Sequence, residues 1–395
     1  VNRLLGIDLS LAEIKDILLS LEFSVVQKDG KILATAPDHR LDIGMGDVGK
    51  ADILEEIARI YGYERIPETR LADALPPQKR DRRMDMEEKL RDTLVAVGLQ
   101  EVITHRMTIP ERESRRLSPD TSPEEMPYFM IANPVSSDRS VMRHSLLASI
   151  LDIVERNARI RERIAIFEIN PVFLYSEEGD LPEEVTKLVI AITGPRSLKN
   201  WGKSDQEIMN FYDLKGIAET VFDSMHITGL KFEPGNYPSF HPGKCARVLA
   251  HQTQLGVIGE LHPQVQENYD FSDTPVIAAE FDLDSIISVT PESFDVPSIP
   301  TQPPILEDIA LIVSEEIPAA NVEHLIRQTG GSTITDVHLF DVYRGDQIGP
   351  GKKSLAYSLT YQDPNRTLTD KDAASLRNKI VHRLENELGA RLRSS

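Results

Sequence analysis

The C-terminal part of the chain, residues 300–395, carries helix and strand signals in the order β-α-β-β-α-β. The pair Gly330-Gly331 marks the end of the first helix, and the third strand alternates apolar with small polar residues. The strand candidates are 308–313, 337–343, 354–361 and 390–393, and the helix candidates are 319–328 and 370–388. This order predicts the split βαβ, ferredoxin-like arrangement of a small α+β domain.

Two proline-containing segments divide the chain. Residues 62–78 include Pro67, Pro76 and Pro77, and a second run of prolines lies at 297–304. Both segments are typical of linkers. The chain length agrees with this division, because domains usually hold roughly 100 to 200 residues. The sequence therefore predicts an α+β multidomain protein with domains at 1–70, 71–296 and 300–395.

The first domain opens with a capping box, because Ser10 precedes Glu13 by three residues. The helix that follows and a second helix at 51–61 each carry an apolar stripe, and Asp29-Gly30 predicts a hairpin turn between them. The residues expected to face inward are Leu11, Ile14, Leu18 and Leu21 on the first helix and Ile53, Ile57 and Ile60 on the second. A small α/β module is expected.

The middle domain begins with a charged amphipathic helix that ends at Gly98. Its later strand and helix candidates mix without βαβ alternation, which favours an α+β domain on a largely antiparallel sheet. The strand candidates are 164–169, 188–193, 246–250 and 276–281, and the helix candidates are 146–159 and 212–225.

Composition restricts the possible functions. Cys245 is the only cysteine, which excludes an internal disulfide framework and a cysteine-based zinc site. Apolar runs fall far short of the roughly 18 residues of a membrane span, so a cytoplasmic protein without membrane contact is expected. The net charge of −19 argues against non-specific nucleic-acid binding. Residues 300–395, with 11 Lys and Arg against 13 Asp and Glu, are the least unfavourable region for RNA.

Four acidic residues are the clearest candidate metal ligands. Asp52, Glu55 and Glu56 lie at helical spacing on one face of the second helix, and Asp42 precedes them. Carboxylate oxygens suit Mg²⁺. Acidic residues in the first turn of a helix are also stabilised by the helix dipole alone. From the residue pattern alone, a solvated acidic helix face is therefore a simpler interpretation than a metal site.

Candidate RNA-binding residues lie beside the third strand of the C-terminal domain, whose polar face is expected to be open. Cations there would contact phosphates, and an aromatic ring would stack on a base, as single-stranded RNA loops require. These residues are Tyr343, Arg344, Lys352, Lys353 and Arg366. The alternative is that the cations are ordinary loop residues.

No catalytic residues are predicted. The segments HPGK at 241–244 and GELHP at 259–263 resemble turns, and a single histidine beside a proline is more often a packing or capping residue than a catalyst. The chain lacks a Ser-His-Asp order and the glycine-rich phosphate motifs.

Two motifs of the first domain resemble the small domain in the β chain of phenylalanine–tRNA ligases. They are HRLDI at 39–43 and DILEEIARIYGY at 52–63. In that family the acids of the motif bind magnesium, and the resemblance assigns this role to Asp42, Asp52, Glu55 and Glu56. The resemblance thus favours the metal over the solvated helix face.

The other two domains resemble the same family. The middle domain carries NPVS at 133–136, MRHSLL at 142–147, FEI at 167–169, DLKG at 213–216 and HPG at 241–243. The C-terminal domain carries LFDVYRG at 339–345, KKSLA at 352–356 and RTLT at 366–369. The resemblance implies a class II synthetase fold without a working active site, which packs on an α subunit, and a ferredoxin-fold anticodon-binding domain.

The chain departs from the family pattern at three places. Residues 44–50 lengthen the spacing between Asp42 and Asp52, and Asp47 within them is an alternative ligand. Glu307 stands where the family commonly has arginine, which would weaken one RNA contact. Asn170-Pro171 replaces a usual Gly-Arg.

The resemblance implies the C-terminal part of a β subunit in an α2β2 ligase that attaches phenylalanine to tRNA(Phe) with ATP and Mg²⁺. The α subunit would perform the chemistry, so this part alone is expected to be inactive. Because the chain starts at Val1 and lacks the family's N-terminal tRNA-binding and editing domains, we expect a piece of a longer protein without proofreading activity. The alternatives are a stand-alone RNA-binding or scaffold paralogue and, less favoured, a Mg²⁺-dependent hydrolase.

Overall fold

A computed structural model describes residues 1–69, 77, 79–119, 127–176, 181–271, 273–296 and 298–393. The chain forms two compact units, Val1–Arg82 and Arg83–Ser395. Parts of both predicted linkers, at 70–76, 78 and 297, lie outside the described residues. No helix within the described ranges is long and apolar enough to cross a membrane.

Within its described residues, the first unit contains one short helix, two longer helices and one hairpin. Its elements are α1 (Asn2–Leu5), α2 (Leu11–Ser20), β1 (Ser24–Lys28), β2 (Lys31–Thr35) and α3 (Gly46–Tyr61). The predicted capping box is confirmed, because Ser10 N donates to Glu13 Oε2 at 2.8 Å and Glu13 N donates to Ser10 Oγ at 3.3 Å. The hairpin is confirmed as well, with left-handed φ angles of 50° at Asp29 and 72° at Gly30.

Helix α3 differs from its prediction in two ways. It begins at Gly46 rather than at residue 51, because most of the segment that lengthens the family spacing is itself helical. Asp47 and Lys50 form an ion pair of 2.9 Å across this added turn, a spacing that supports helices. Ile60, predicted to face inward, is 41% exposed because it lies in the last turn, beyond the buried Ile57.

The first part of the second unit contains a seven-stranded sheet with helices on both faces and a separate two-stranded sheet. Its elements are α4 (Arg82–Ala96), β3 (Gln100–Glu101), β4 (Met107–Thr108), α5 (Pro110–Ser114), β5 (Val141–Met142), α6 (Leu146–Ala158), β6 (Ile164–Leu174), β7 (Glu183–Thr193), α7 (Phe211–Ser224), β8 (Leu230–Pro234), β9 (Phe240–Ala250), β10 (Thr253–Leu261), α8 (Pro263–Glu267), β11 (Ile277–Asp282) and α9 (Leu283–Val289). The strand order is β3-β6-β7-β11-β10-β9-β8, and the described pairs run antiparallel except β3 beside β6. The predicted antiparallel character is confirmed.

The two faces of this sheet carry separate apolar cores. Leu188 and Ile190 of β7 belong to the core formed with α4, α7 and α9. The alternating residues Val189 and Ala191 belong to the core formed with α6. This two-residue period is what places a helical layer on each side of the sheet.

Two strands extend through prolines that the sequence placed outside strands. β6 continues past Pro171 to Leu174, and β3 pairs with β6 only at Ile166 and Phe167. Pro171 therefore lies at the edge of the sheet, where its missing N–H removes no pairing. β9 includes the HPG segment predicted as a turn, because a register shift opposite Gly259 and Leu261 accommodates Pro242 in an irregular stretch.

The edge of β6 beyond β3 is covered by Arg143. Its side chain is fully buried, its Nε donates to Pro171 O at 3.0 Å, and Phe173 N donates to its carbonyl oxygen at 2.9 Å. The Arg143 Nη1 lies 3.6 Å from Glu168 Oε1, and burial lowers the pKa of the guanidinium. Asn170 Nδ2 also donates to Glu168 Oε1, at 2.8 Å. This polar cluster fastens the chain before α6 to the sheet edge.

The C-terminal part of the second unit has the predicted βαββαβ order. Its elements are β12 (Ile305–Ser314), α10 (Ala319–Gly330), β13 (Ile334–Tyr343), β14 (Lys352–Tyr361), α11 (Asp370–Leu388) and β15 (Arg391–Leu392). The sheet order is β13-β14-β12-β15, with antiparallel neighbours throughout the described strands. Leu355, Tyr357, Leu359 and Tyr361 of β14 pack with both helices on one face. The ferredoxin-like fold is confirmed.

Candidate functional site

Two of the four candidate metal ligands of the first unit, Asp42 and Glu56, contact one arginine. Arg40 Nη2 lies 2.6 Å from Asp42 Oδ2 and 3.0 Å from Glu56 Oε1, so one guanidinium bridges both carboxylates. Glu56 Oε2 also accepts a hydrogen bond of 2.6 Å from Arg59. The hydrogen bond from Arg40 lowers the pKa of Asp42 to about 2, and Arg59 followed by Arg40 lowers the pKa of Glu56.

The remaining acids do not complete a metal site. Asp52 Oδ2 accepts a hydrogen bond of 2.7 Å from the Gly44 backbone, and Asp47, the alternative ligand, pairs with Lys50. Across the part of the chain that the structure describes, no three His, Cys, Asp or Glu side chains are grouped so as to hold a metal ion. Between Asp42 and Glu56, Arg40 already supplies the positive charge that a cation would bring.

Four of the five candidate RNA-binding residues lie at one end of the C-terminal sheet. Tyr343 ends β13 and is paired in register with Ser354 of β14, next to Lys353 and Lys352. Arg344 Nη2 forms an ion pair of 2.8 Å with Glu315, which raises the pKa of Arg344. We call the group of Tyr343, Arg344, Lys352 and Lys353 the cationic end.

The two lysines of the cationic end differ in their contacts. Lys353 Nζ donates to Glu315 O at 2.8 Å. Lys352 is exposed and forms no ion pair with any residue that the structure describes. A phosphate could therefore contact Lys352 without breaking an existing bond. Arg344 and Lys353 are both bonded to Glu315, the residue after β12.

The fifth candidate, Arg366, is separate. It follows the C-terminal end of β14 at Tyr361. That end of the strand lies about 30 Å from Lys352 at the usual rise per strand residue. Its Nη1 lies 3.0 Å from Asp372 Oδ2, in the first turn of α11. The structure thus does not place Arg366 with the other four residues.

The polar face of the C-terminal sheet is less open than expected. Ser354 is 2% exposed, because it lies between Tyr343 and Ile312 across the sheet. The Arg393 guanidinium lies 4.8 Å from the centre of the Tyr343 ring, so a cation–π contact spans this face. Arg393 was missed as a site residue, although two arginines in the last predicted strand were a signal for it.

Glu307 does not face the RNA candidates. It occupies the same side of β12 as the buried residues Ile309 and Leu311. Arg377 of α11 forms an ion pair of 2.7 Å with it. The side chain points to the helical layer, and the expectation that glutamate here weakens an RNA contact stays a prediction.

Three protein families match successive parts of the chain. Residues 1–63 match the tRNA synthetase B5 domain, residues 66–283 the phenylalanyl tRNA synthetase beta chain CLM domain, and residues 300–393 the ferredoxin-fold anticodon binding domain. The first and last matches contain the two sites described above.

Similar proteins carry one name. The phenylalanine–tRNA ligase beta subunits of Clostridium acetobutylicum and Geobacillus kaustophilus are each 34% identical to the whole chain, across 48% of their own length. That of Syntrophus aciditrophicus is 34% identical, across 49% of its length. The chain thus spans about half the length of these curated relatives. Since the CLM match covers more than half of it, the chain belongs to the family of phenylalanyl-tRNA synthetase beta chains.

Proposed function

We propose that this chain is the C-terminal portion of a phenylalanine–tRNA ligase β subunit, and that it binds tRNA and supports a catalytic α subunit. The observation that carries the proposal is the anticodon-binding fold together with the cationic end, which lies at one end of the strands of its sheet. Three family matches in succession, and relatives that all carry the ligase name, support it.

The finer parts of this function are also proposals. They comprise the α2β2 assembly, tRNA(Phe) and ATP as substrates of the whole complex, a cytoplasmic location, and domains bounded at 1–70, 71–296 and 300–395. Aminoacylation by the full-length β chain together with its α partner tests the assignment. Charging of tRNA(Phe) with phenylalanine is expected, and an α/β complex that charges no tRNA would show that the chain is a paralogue without ligase activity.

The cationic end is expected to contact tRNA phosphates. Lys352→Ala with Lys353→Ala should weaken tRNA binding and make it less dependent on salt, because each lost phosphate contact removes about 0.7 to 0.9 from the slope of log K against log salt. Filter binding of tRNA(Phe) over a salt series measures this slope. Lys28→Ala with Lys31→Ala on the first hairpin is the matched control. An unchanged slope in the Lys352 and Lys353 variant would mean that the RNA contact lies elsewhere on the chain.

Mg²⁺ binding at Asp42, Asp52, Glu55 and Glu56 stays a prediction from the family resemblance. Arg40 opposes it, because an ion would have to replace the guanidinium on two of these carboxylates. Arg40→Ala is therefore expected to raise the Mg²⁺ affinity of the chain, and Asp52→Ala with Glu56→Ala to abolish it. Isothermal titration with Mg²⁺ measures both. Equal Mg²⁺ uptake by the two variants and the parent chain would show that these carboxylates are not Mg²⁺ ligands.

A further inference from the structure

Two cationic segments of the middle domain contrast with the acidity of the whole chain. Residues 156–163 contain four arginines and one glutamate, and residues 195–204 contain one arginine, two lysines and no acid. The chain as a whole carries a net charge of −19. Such a local reversal of charge is the footprint by which a surface attracts a polyanion.

The sheet brings these two segments together. β6 starts directly after the first segment, and β7 ends at Thr193, with Gly194 between it and the second segment. Ile164 is paired with Thr193 in this hairpin. Arg163 Nε donates to Arg196 O at 3.3 Å, which joins the segments. A cavity of about 500 Å³ lies between them, and its lining includes Arg159, Arg161, Lys199 and the acid Glu162.

The second segment forms a hairpin loop that projects Trp201 into solvent. Arg196 N donates to Glu207 O at 2.8 Å, and Ser197 N donates to Asp205 O at 2.9 Å. Trp201 is fully exposed and is the only tryptophan of the chain. A large aromatic side chain is seldom left wholly in water, so this position suits a ring that stacks on a partner.

The three acids nearest to this loop share one arginine. Arg196 forms ion pairs with Asp205, Glu207 and Asp213, at 3.4, 2.6 and 2.7 Å. In contrast, Arg161, Lys199 and Lys203 form no ion pair within the described part of the chain. Arg161, Lys199 and Lys203 are therefore the cations of this surface that a phosphate can contact without breaking an ion pair.

We propose that Arg161, Lys199, Lys203 and Trp201, here called the Trp201 surface, form a second RNA-contact surface, outside the anticodon-binding domain. The cations contact phosphates of the bound tRNA, and the indole ring stacks on an unpaired base, which is how sequence-tolerant RNA surfaces combine charge and aromatic rings. A protein partner would favour the tryptophan and the arginine but is less well matched by three cations around the ring, because charged residues are depleted in the core of protein interfaces. This inference rests on the proposed tRNA-binding function.

The single tryptophan permits a direct test. A tRNA(Phe) transcript is titrated into the 395-residue chain, and the emission of Trp201 is followed with selective excitation of indole. Stacking on a base is expected to quench the emission, and added salt is expected to restore it. A change on adding purified α subunit, with none on adding tRNA, would assign the surface to a protein partner and overturn the inference.

A pair of variants completes the test. Arg161→Ala with Lys199→Ala should reduce the salt slope of tRNA binding by about 1.4 to 1.8, and Lys28→Ala with Lys31→Ala should leave it unchanged. If tRNA binds the parent chain with unaltered Trp201 emission and the first variant keeps the full slope, the Trp201 surface is not an RNA contact and the proposed function stands. Failure of the parent chain to bind tRNA at all would overturn both.

Discussion

Glu168→Ala is expected to lower the free energy of unfolding of the second unit by about 3 to 5 kcal/mol, the usual cost of removing one partner of a buried ion pair. Arg143 is 0% exposed, and the substitution would leave its guanidinium without a carboxylate. Thr104 N and Thr104 Oγ1 would also lose their acceptors on Glu168, now at 3.0 and 2.7 Å. The loss should therefore exceed that of an ordinary surface substitution several-fold.

Urea denaturation followed by circular dichroism measures this effect. Glu233→Ala is the matched control, because it breaks an ion pair with Arg247 in which both side chains are nearly half exposed, and such pairs contribute at most about 1 kcal/mol. Replacing both members, Arg143→Met with Glu168→Leu, should recover much of the stability lost in Glu168→Ala. Equal unfolding midpoints for Glu168→Ala and Glu233→Ala would mean that the buried pair stabilises the fold no more than the exposed pair does.

Tyr343→Ala is expected to weaken tRNA binding about 5- to 150-fold, because stacking of one base on an aromatic ring contributes about 1 to 3 kcal/mol. Tyr343→Phe retains the ring and should bind almost as well as the parent chain. The salt slope should stay the same in Tyr343→Ala, since the ring carries no charge. This separates it from the Lys352 and Lys353 variant, whose slope falls.

The dissociation constant for tRNA(Phe), measured at one fixed salt concentration, tests the role of Tyr343. Phe340→Ala is a suitable control, because Phe340 is 53% exposed on the same strand but occupies the irregular position between Leu339 and Asp341. If Phe340→Ala weakens binding as much as Tyr343→Ala, the loss reflects the strand and not stacking on Tyr343.

Elements with local signals were predicted closely from the sequence. Helix α11 was predicted at 370–388 and is observed at Asp370–Leu388. A capping box at its start and a left-handed glycine at its end, Gly389 with φ 62°, are encoded within a few residues. The βαββαβ order followed from such signals, and the ferredoxin-like fold followed from that order.

Features that depend on distant contacts were not predictable in the same way. The helical spacing of Asp52, Glu55 and Glu56 was visible, but the position of Arg40 between Asp42 and Glu56 depends on how the preceding loop folds onto α3. The contact of Arg393 with Tyr343 joins residues on different strands of the C-terminal sheet. The strand through Pro242 depends on a register shift against β10, which no local pattern reveals.

The arginine that covers the edge of β6 has a consequence for self-association. Strand edges with free N–H and C=O groups are templates on which another chain can add a strand. Past the short β3, the outward backbone groups of Pro171 and Phe173 are bonded to Arg143. Any substitution that releases Arg143 thus exposes unpaired backbone groups on β6. The resulting protein is expected to aggregate even where its core still folds.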